Sequence, residues 1–394
     1  MPRFSVVVPT RDRPDLLQFC LESLAAQTFE DVEVVVSDNA VRLPARDVFD
    51  RWAGSGWRYV RPKEPLPMHE NFERACAEAS GEYVGVVIDK TLLHRSALEH
   101  ANCALMAAPA DIVTWWSDGY TPLEEERDLG RGRFHPFVEI GRPTIYDPAA
   151  ELATRFANPI RRGEDPIHYV RGKIVFGLYS STLLNQIRAR TGRIFYPLAP
   201  DYTSMVPASV FANRAIDLGR PLLLSYNSVR SNGRRQGIDP AYARRFIEAA
   251  DPSIIDALPI PGLYTSMHNV VAYDLVSAAA RCPAGSTPPL DLANLVRRAR
   301  EDLAGVAWAD LDEKARQYAI LETAEDRLGG RPETTGSRPR RSIRAELFET
   351  MTRIPGVERF AHEAIGRMNS IYVSPVEAAR AADEYYSAKM AQPS

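Results

Sequence analysis

Continuous apolar runs alternate with helical periodicity along the first hundred residues. Runs of β-branched residues without intervening polar positions are typical of strands covered on both faces, as in a parallel sheet. Four largely apolar runs occur, at 4–8, 32–36, 57–60 and 83–88. Apolar residues recur at helical spacing over 14–24 and 70–79, and Gly81 ends the second segment. The alternation predicts βαβ units and an α/β fold.

The remaining chain divides into a second half-domain and a helical end. The predicted elements are a helix at 98–106, a strand at 112–115, a loop at 119–142, strand then helix over 170–190, a helix at 204–215 and a strand at 221–226. We therefore predict one α/β domain over 1–235, with halves at 1–110 and 111–235. A helical C-terminal region follows over 236–394, with a basic, Gly- and Pro-rich linker near 327–344.

The composition indicates a folded soluble protein and excludes several classes. Hydrophobic residues make up 45% of the 394 positions and charged residues 25%, as in ordinary globular chains. A net charge of −3 provides no positive field for nucleic acid, which we exclude as a partner. The four cysteines lack metal-ligand spacing. With no signal peptide and no apolar run near the roughly 20 residues of a membrane span, we expect a cytoplasmic location.

Polar residues follow three of the predicted strands. They are Pro9-Thr10-Arg11, Ser37-Asp38-Asn39 and Asp89-Lys90-Thr91. Because the carboxyl ends of parallel strands meet at one edge of a sheet, these residues are expected to line a common crevice. Neither a GxGxxG nor a GxxxxGK[ST] phosphate loop follows the first strand, so a nucleotide would be held in another way.

Three segments carry a family resemblance. SVVVPTRDRPDLLQFCLESLAAQ, VEVVVSDNA and PLPMHENFERACAEASGEYVGVVIDKTLL resemble, in order and spacing, the family 2 glycosyltransferases of the GT-A fold. The likeness covers 4–100 well and 165–235 more loosely. It implies a Rossmann-like, mixed but mostly parallel sheet flanked by helices. It also implies an enzyme that transfers a hexose-type sugar from a nucleoside diphosphate, above all UDP.

The resemblance also implies a set of donor-binding residues. These are Pro9, Thr10, Arg11, Asp38, Asn71, Arg74 and Asp89. The first three would lie beside the base and ribose, and Asp38 would accept a hydrogen bond from a uracil-type base edge. Asp38-Asn39 is equally typical of a turn. Asn71 and Arg74, three residues apart on one helical face, would reach the base or diphosphate, or instead serve as a helix cap and a solvated surface charge.

Asp89 occupies the first position of the DxD-like motif, at which the family holds the ribose and a divalent cation, Mn²⁺ or Mg²⁺. Lys90 and Thr91 stand where further acids are expected, which argues against a metal cofactor. Three interpretations stay open. Lys90 replaces the metal electrostatically, or the site binds without catalysis, or Asp89 holds a metal together with residues from elsewhere such as His168.

The inverting reaction needs a base for the acceptor hydroxyl. Asp201, in Pro200-Asp201-Tyr202, matches a segment of some relatives and is the predicted base, with Lys90 as the second catalytic residue. A helix N-cap is the alternative role for Asp201. Glu164 and Asp165 form a second acidic candidate pair, and His168 and Tyr169 follow in the region where the acceptor or diphosphate is expected to pass.

Other features have a functional and a plainer interpretation each. Trp115-Trp116 would stack a sugar ring or fill the core. Four polar residues would clamp phosphates or form a solvated turn, namely Arg230, Asn232, Arg234 and Arg235. The basic stretch 338–344, with Leu347, Met351 and Ile354 as anchors, would draw the chain to an anionic membrane surface or act as a solvated linker.

The sequence thus predicts an inverting glycosyltransferase of bacterial-type surface glycan or glycoconjugate synthesis, acting on a glycan or lipid-linked acceptor. The C-terminal helical region would cap the acceptor site or form a homo-oligomer. The alternative is a non-catalytic subunit that binds a sugar nucleotide. Nucleotidyl transfer ranks below both, because the chain has no Gly-rich, Lys-bearing phosphate loop.

Overall fold

The computed structural model describes residues 1–137, 140–160, 166–329 and 370–391. Glu164, Asp165 and the predicted membrane anchors Leu347, Met351 and Ile354 lie outside these residues, as does the linker from residue 330 onward. The strands are β1 Phe4–Thr10, β2 Val32–Asp38, β3 Trp57–Val60, β4 Tyr83–Val86, β5 Thr91–Leu93, β6 Ile112–Glu124, β7 Asp128–His135, β8 Thr144–Tyr146, β9 Gly177–Ser180, β10 Ala215–Tyr226 and β11 Ile371–Tyr372.

The helices surround this sheet and form most of the C-terminal region. They are α1 Pro14–Ala25, α2 Arg46–Trp52, α3 Met68–Ala77, α4 Ala97–Ala107, α5 Pro148–Ala157, α6 Pro166–Val170, α7 Ser181–Thr191, α8 Pro200–Thr203, α9 Met205–Phe211, α10 Asn232–Ile238, α11 Pro240–Glu248, α12 Ile254–Ala257, α13 Met267–Ala279, α14 Leu292–Ala304, α15 Leu311–Arg327 and α16 Pro375–Ala391. None of the helices in the described ranges is both long and apolar enough to cross a bilayer.

The sheet is mixed, and its parallel pairs are β1 with β2 and β4, β2 with β3, and β6 with β10. Its main path runs β11-β7-β6-β9-β4-β1-β2-β3, and β10 lies beside β6 while also pairing with β5 and β8. Strand β1 is parallel to both β2 and β4, with Phe4 opposite Val32 and Tyr83. The predicted fold, a mostly parallel α/β sheet flanked by helices with a helical C-terminal region, is confirmed.

Both faces of β1 are covered, as its continuous apolar sequence predicts. Val6 and Val8 face α1, whose Leu17, Cys20, Leu21 and Leu24 belong to the same core cluster. Val7 faces the other way, into a cluster that includes Phe72 and Ala75 of α3. Because the side chains of a strand alternate between faces, β1 is anchored from both sides and its end at Thr10 has a well-defined position.

The loop prediction for 119–142 is wrong over most of its length. Strand β6 continues to Glu124 and β7 returns over 128–135, so the two form a hairpin. The β7 edge is paired by β11, with Ile371 opposite Arg133. Gly132 allows close packing, since an added Cβ would lie 2.4 Å from the Tyr120 ring. The strands are thus stabilised by partners more than 200 residues away in sequence.

The C-terminal region packs on the second half of the predicted α/β domain, residues 111–235. Val271 and Leu275 of α13 share a core cluster with Phe156 and Met205, and α10 begins at Asn232, inside the predicted polar turn. Helix α16 packs against β7 and β10. The described contacts bring the C-terminal helices against the sheet domain, and the boundary near residue 235 stays a prediction.

Candidate active site

A cavity of about 570 Å³ opens at the carboxyl ends of β1 and β4, between the sheet and the C-terminal helices. Seven of the residues predicted from the sequence line it: Pro9, Thr10, Arg11, Asn71, Asp89, Lys90 and Asp201. Asp201 follows the strand-end residues by more than a hundred positions in sequence. All of these residues nevertheless face the same cavity. Asp38 and Arg74 are not part of its lining.

Asp89 is held between a hydroxyl and a guanidinium. The Thr10 Oγ1 donates to Asp89 Oδ2 at 3.0 Å, and Arg13 Nη1 lies 3.4 Å from Asp89 Oδ1. Arg13 also donates from Nη2 to the carbonyl oxygen of Arg230 at 3.1 Å. The Asp89 side chain is 7% exposed, so this ion pair is shielded from solvent and carries more weight than a surface pair.

Asp12 connects the end of β1 to the loop after β2. Its backbone has a φ of 54°, a left-handed conformation that Asp tolerates better than most residues. The Oδ1 atom accepts hydrogen bonds from the N–H groups of Val41, Arg42 and Leu43. Burial alone would raise the pKa of Asp12, but these N–H groups and the Arg42 charge lower it below its usual value.

The Asp38 carboxylate has protein partners on both oxygens. Oδ1 accepts from Ala40 N at 3.0 Å, while Oδ2 accepts from Ala45 N at 2.8 Å and from the Tyr59 hydroxyl at 2.5 Å. The residue is fully buried. Burial and this bond to a carboxylate raise the pKa of Tyr59. These contacts are those of a turn-holding residue, one of the two roles predicted, and the neighbouring Asn39 lines the cavity.

The two residues predicted on α3 differ in position. Asn71 is buried and lines the cavity, and its amide exchanges hydrogen bonds with Ser37 of β2 at 2.7 and 3.3 Å. Arg74 lies in the last turn of α3, 4.0 Å from Glu78, with its side chain 37% exposed. Of this pair, only Asn71 borders the cavity.

The residues around Asp89 do not fit a divalent cation. Hard cations need several oxygen ligands, whereas Asp89 is bonded to Thr10 and Arg13 and is followed by Lys90. Within the described ranges, no three His, Cys, Asp or Glu side chains come together to hold a metal. His168 does not line the cavity, and its Nδ1 lies 2.7 Å from Glu151 Oε2.

Asp201 lies in the first turn of α8, whose N-cap residue is Ala199, so the N-cap alternative for Asp201 is wrong. Its side chain borders the cavity and is half-buried. This burial raises the pKa of Asp201, opposed by the positive charges of Lys173 and Lys90 and by the backbone N–H groups of Asp201 and Tyr202. A carboxylate with a raised pKa is suited to accept a proton near neutral pH.

Lys173 is a site residue that the sequence did not indicate. It is 2% exposed, and its Nζ lies 3.6 and 3.7 Å from the ring centroids of Tyr169 and Tyr202. The two hydroxyls are 2.8 Å apart. The aromatic rings stabilise the buried ammonium and hold it near Asp201. A single lysine ahead of an apolar run carries no periodic or motif signal that would identify it.

The C-terminal helices supply the remaining wall of the cavity. Asn232 and Arg235 of α10 line it together with Tyr242, Phe246 and Met267. The Arg235 guanidinium lies 3.9 Å from the Tyr242 ring centroid, and the Tyr242 hydroxyl donates to Asn232 Oδ1 at 3.0 Å. The C-terminal region thus forms one wall of the cavity, and its capping of an acceptor site stays a prediction.

The other residues considered from the sequence lie outside the cavity lining. Arg230 bonds to Asp15 at 2.9 Å and to Glu125 at 3.2 Å, and Arg234 does not border the cavity. The sugar-stacking interpretation of Trp115-Trp116 is wrong, because both indoles are buried in the interior. Core packing determines their position, and Trp116 also donates to Asp217.

Comparison with known proteins finds one family model that matches part of the chain. Residues 5–136 match the model of glycosyl transferase family 2. No curated protein matches the chain at a significant level. Among solved structures, S. aureus TarS is 15% identical, with a TM-score of 0.46 over 82% of this chain and 55% of TarS. The chain thus spans about half the length of that protein.

Two further solved structures are similar at the same level. One is TarS 1–349 in complex with UDP-GlcNAc, 15% identical with a TM-score of 0.43 over 83% of this chain and 92% of that one. The other is the mannosyltransferase PcManGT from Pyrobaculum calidifontis with GDP-Man and Mn²⁺, 20% identical with a TM-score of 0.40 over 82% and 86%. The match to the glycosyl transferase family 2 model spans residues 5–136 of the 394 positions.

Proposed function

We propose that the protein is an inverting glycosyltransferase that moves a sugar from a nucleoside diphosphate, in particular UDP, to a hydroxyl acceptor. The observation that carries this proposal is that Asp89, Lys90 and Asp201 line one cavity with the end of β1. A donor-side cation and an acceptor-side carboxylate are the two groups that such a transfer needs. The family match of residues 5–136 supports the reaction class.

In the proposed reaction, the acceptor oxygen attacks the anomeric carbon from the face opposite the diphosphate. The new C–O bond forms as the bond to the diphosphate breaks, and the leaving group keeps the electron pair. Asp201 takes the hydroxyl proton, while Lys90 stabilises the negative charge that develops on the diphosphate. In a cavity with little water, such a cation contributes more than it would in bulk solvent.

The donor occupies the strand-end side of the cavity in this proposal. Pro9, Thr10 and Arg11 lie beside the base and ribose, and Asn39 borders the same space. The acceptor, a glycan or a lipid-linked sugar, enters between Asp201 and the wall formed by α10 and α11. Tyr242 and Phe246 provide aromatic surface there, on which the apolar face of a sugar ring packs well.

A non-catalytic subunit that only binds a sugar nucleotide is the second candidate. It is favoured by the Arg13–Asp89 ion pair, which occupies the carboxylate that the family uses at its metal site. Both candidates predict nucleotide binding, so turnover is what separates them. Peripheral membrane contact, homo-oligomer formation and a role in surface glycan synthesis stay predictions from the sequence.

The test is release of the nucleoside diphosphate from UDP-GlcNAc and GDP-mannose, with water or simple sugars as acceptors, with and without EDTA. We expect turnover that EDTA leaves unchanged. Removing a preorganised cation costs about 10²–10³ in kcat, so Lys90→Ala is expected to lose that much. Lys314→Ala, which removes an exposed lysine in α15, is the matched control. Nucleotide binding without turnover in the wild type would favour the second candidate.

A further inference from the structure

The backbone that leads into Asp201 is held by a carboxylate from the C-terminal helical region. Asp274 of α13 is fully buried. Its Oδ2 accepts hydrogen bonds from Leu198 N at 2.9 Å and from Ala199 N at 2.7 Å. These two N–H groups immediately precede the turn Pro200-Asp201, and Ala199 is the N-cap residue of α8. One side chain thus determines where the first turn of α8 begins.

The second oxygen of Asp274 distinguishes this carboxylate from one that only holds backbone N–H groups. Asp274 Oδ1 is buried without a hydrogen-bond partner among the described residues. An ionised oxygen in that position is costly. A carboxylate used only to hold two N–H groups would be cheaper at the surface, as Asp111 shows with Asn213 N at 2.8 Å and Arg214 N at 3.4 Å.

We propose that Asp274 is a positioning residue for Asp201: it fixes the backbone of Leu198 and Ala199 and so directs the Asp201 carboxylate into the cavity. This inference rests on the proposed function, in which Asp201 is the base. The C-terminal helical region is then part of the active site, because Asp274, which positions the base Asp201, belongs to α13.

Asp201 and Asp274 lie among several other charged and phenolic groups. Asp201 faces Lys173 and Lys90, and Asp274 faces Asp201, Arg193 and the phenols of Tyr196 and Tyr273. Burial first, and then the charge of Asp201, raise the pKa of Asp274 to about 7, although its two backbone bonds lower it. The charge of Asp201 thus acts on Asp274, and two interacting carboxyl groups titrate as a pair.

Two variants separate the role of Asp274 in holding the backbone from its effect on the titration of Asp201. Asp274→Asn keeps an oxygen that accepts from both N–H groups but removes the carboxyl group that titrates beside Asp201. The acid limb of the pH profile of kcat/KM should then move to lower pH, because Asp201 no longer titrates together with a second carboxyl group. Asp274→Ala also removes the acceptor. It should lower kcat by about 10²-fold, since a displaced catalytic group costs that much, with nucleotide affinity kept within a few-fold.

Asp111→Asn is the matched control, because Asp111 accepts from two consecutive N–H groups away from the cavity. Its pH profile should equal that of the wild type. If Asp274→Asn leaves the acid limb in place, or Asp274→Ala loses no more kcat than the control, the positioning role is overturned. Wild type and Asp201→Asn are measured in the same series. If Asp201→Asn is as active as wild type, the proposed base itself is wrong, and both proposals fall.

Discussion

Replacing Asp38 by alanine distinguishes a donor-binding carboxylate from one that holds the fold. The variant removes a fully buried acceptor of three hydrogen bonds, from Ala40 N, Ala45 N and the Tyr59 hydroxyl. A hydrogen bond to a charged group contributes about 1.5–3 kcal/mol, but neighbouring contributions are not additive. Allowing for relaxation of the phenol toward water, we expect the free energy of unfolding to fall by roughly 3–5 kcal/mol.

Two measurements on the same protein decide the matter. Urea unfolding gives the change in free energy, and calorimetry with UDP at a temperature where the variant is folded gives the change in Kd. We expect a large loss of stability and a Kd within a few-fold of wild type. Asp47→Ala, which removes an exposed acid of α2, should cost less than about 1 kcal/mol. Unchanged stability with a Kd weakened tenfold or more would refute the structural role and support the base contact.

Three further predictions concern the packing around Gly177, the contacts of Tyr386 in α16, and the pH dependence of the free energy of unfolding. Gly177→Ala should destabilise the chain by about 3 kcal/mol in urea, because its Cβ would lie 1.8 Å from the Val113 carbonyl oxygen. Tyr386→Phe should cost about 1–2 kcal/mol by losing its bonds to a buried carboxylate and a carbonyl, while Tyr385→Phe, at an exposed neighbour, costs almost nothing. Because the pKa of Asp274 is raised to about 7, the folded chain keeps a proton that the unfolded chain has released. The free energy of unfolding should therefore fall as pH rises from about 4 to 7, and Asp274→Asn should flatten that part of the curve.

The local pattern of apolar residues was sufficient to predict the first strands and helices of the fold, within residues 1–110. The residues of β1 and β2 are mostly apolar, and the helical spacing from Leu16 to Leu24 appears as α1. The strand-end rule for ligand position therefore brought Thr10 and Asp89 to one crevice from sequence alone. Where neighbours in sequence are also neighbours in space, the periodicity carries the necessary information.

The remaining site depends on contacts that no local pattern records. The β6–β7 hairpin is stabilised by β11 from the far end of the chain, so its charged and Gly-rich sequence looked like a loop. Lys173 is buried because Tyr169 and Tyr202 enclose it. Asp274 looks like any polar position of a helix until α13 packs under the turn at Leu198. Each of these depends on tertiary packing, which a motif search does not detect.

Arg13 and Lys90 determine the charge around Asp89. An acid at the end of β4 attracts a positive charge, and in this chain Arg13 provides it at 3.4 Å. Lys90 borders the same cavity, so a divalent cation arriving at Asp89 would meet two positive side chains. A diphosphate entering the cavity would instead be attracted by both. Because electrostatic attraction of this kind weakens with ionic strength, UDP affinity should fall as salt rises, and should fall less steeply in Lys90→Ala than in wild type.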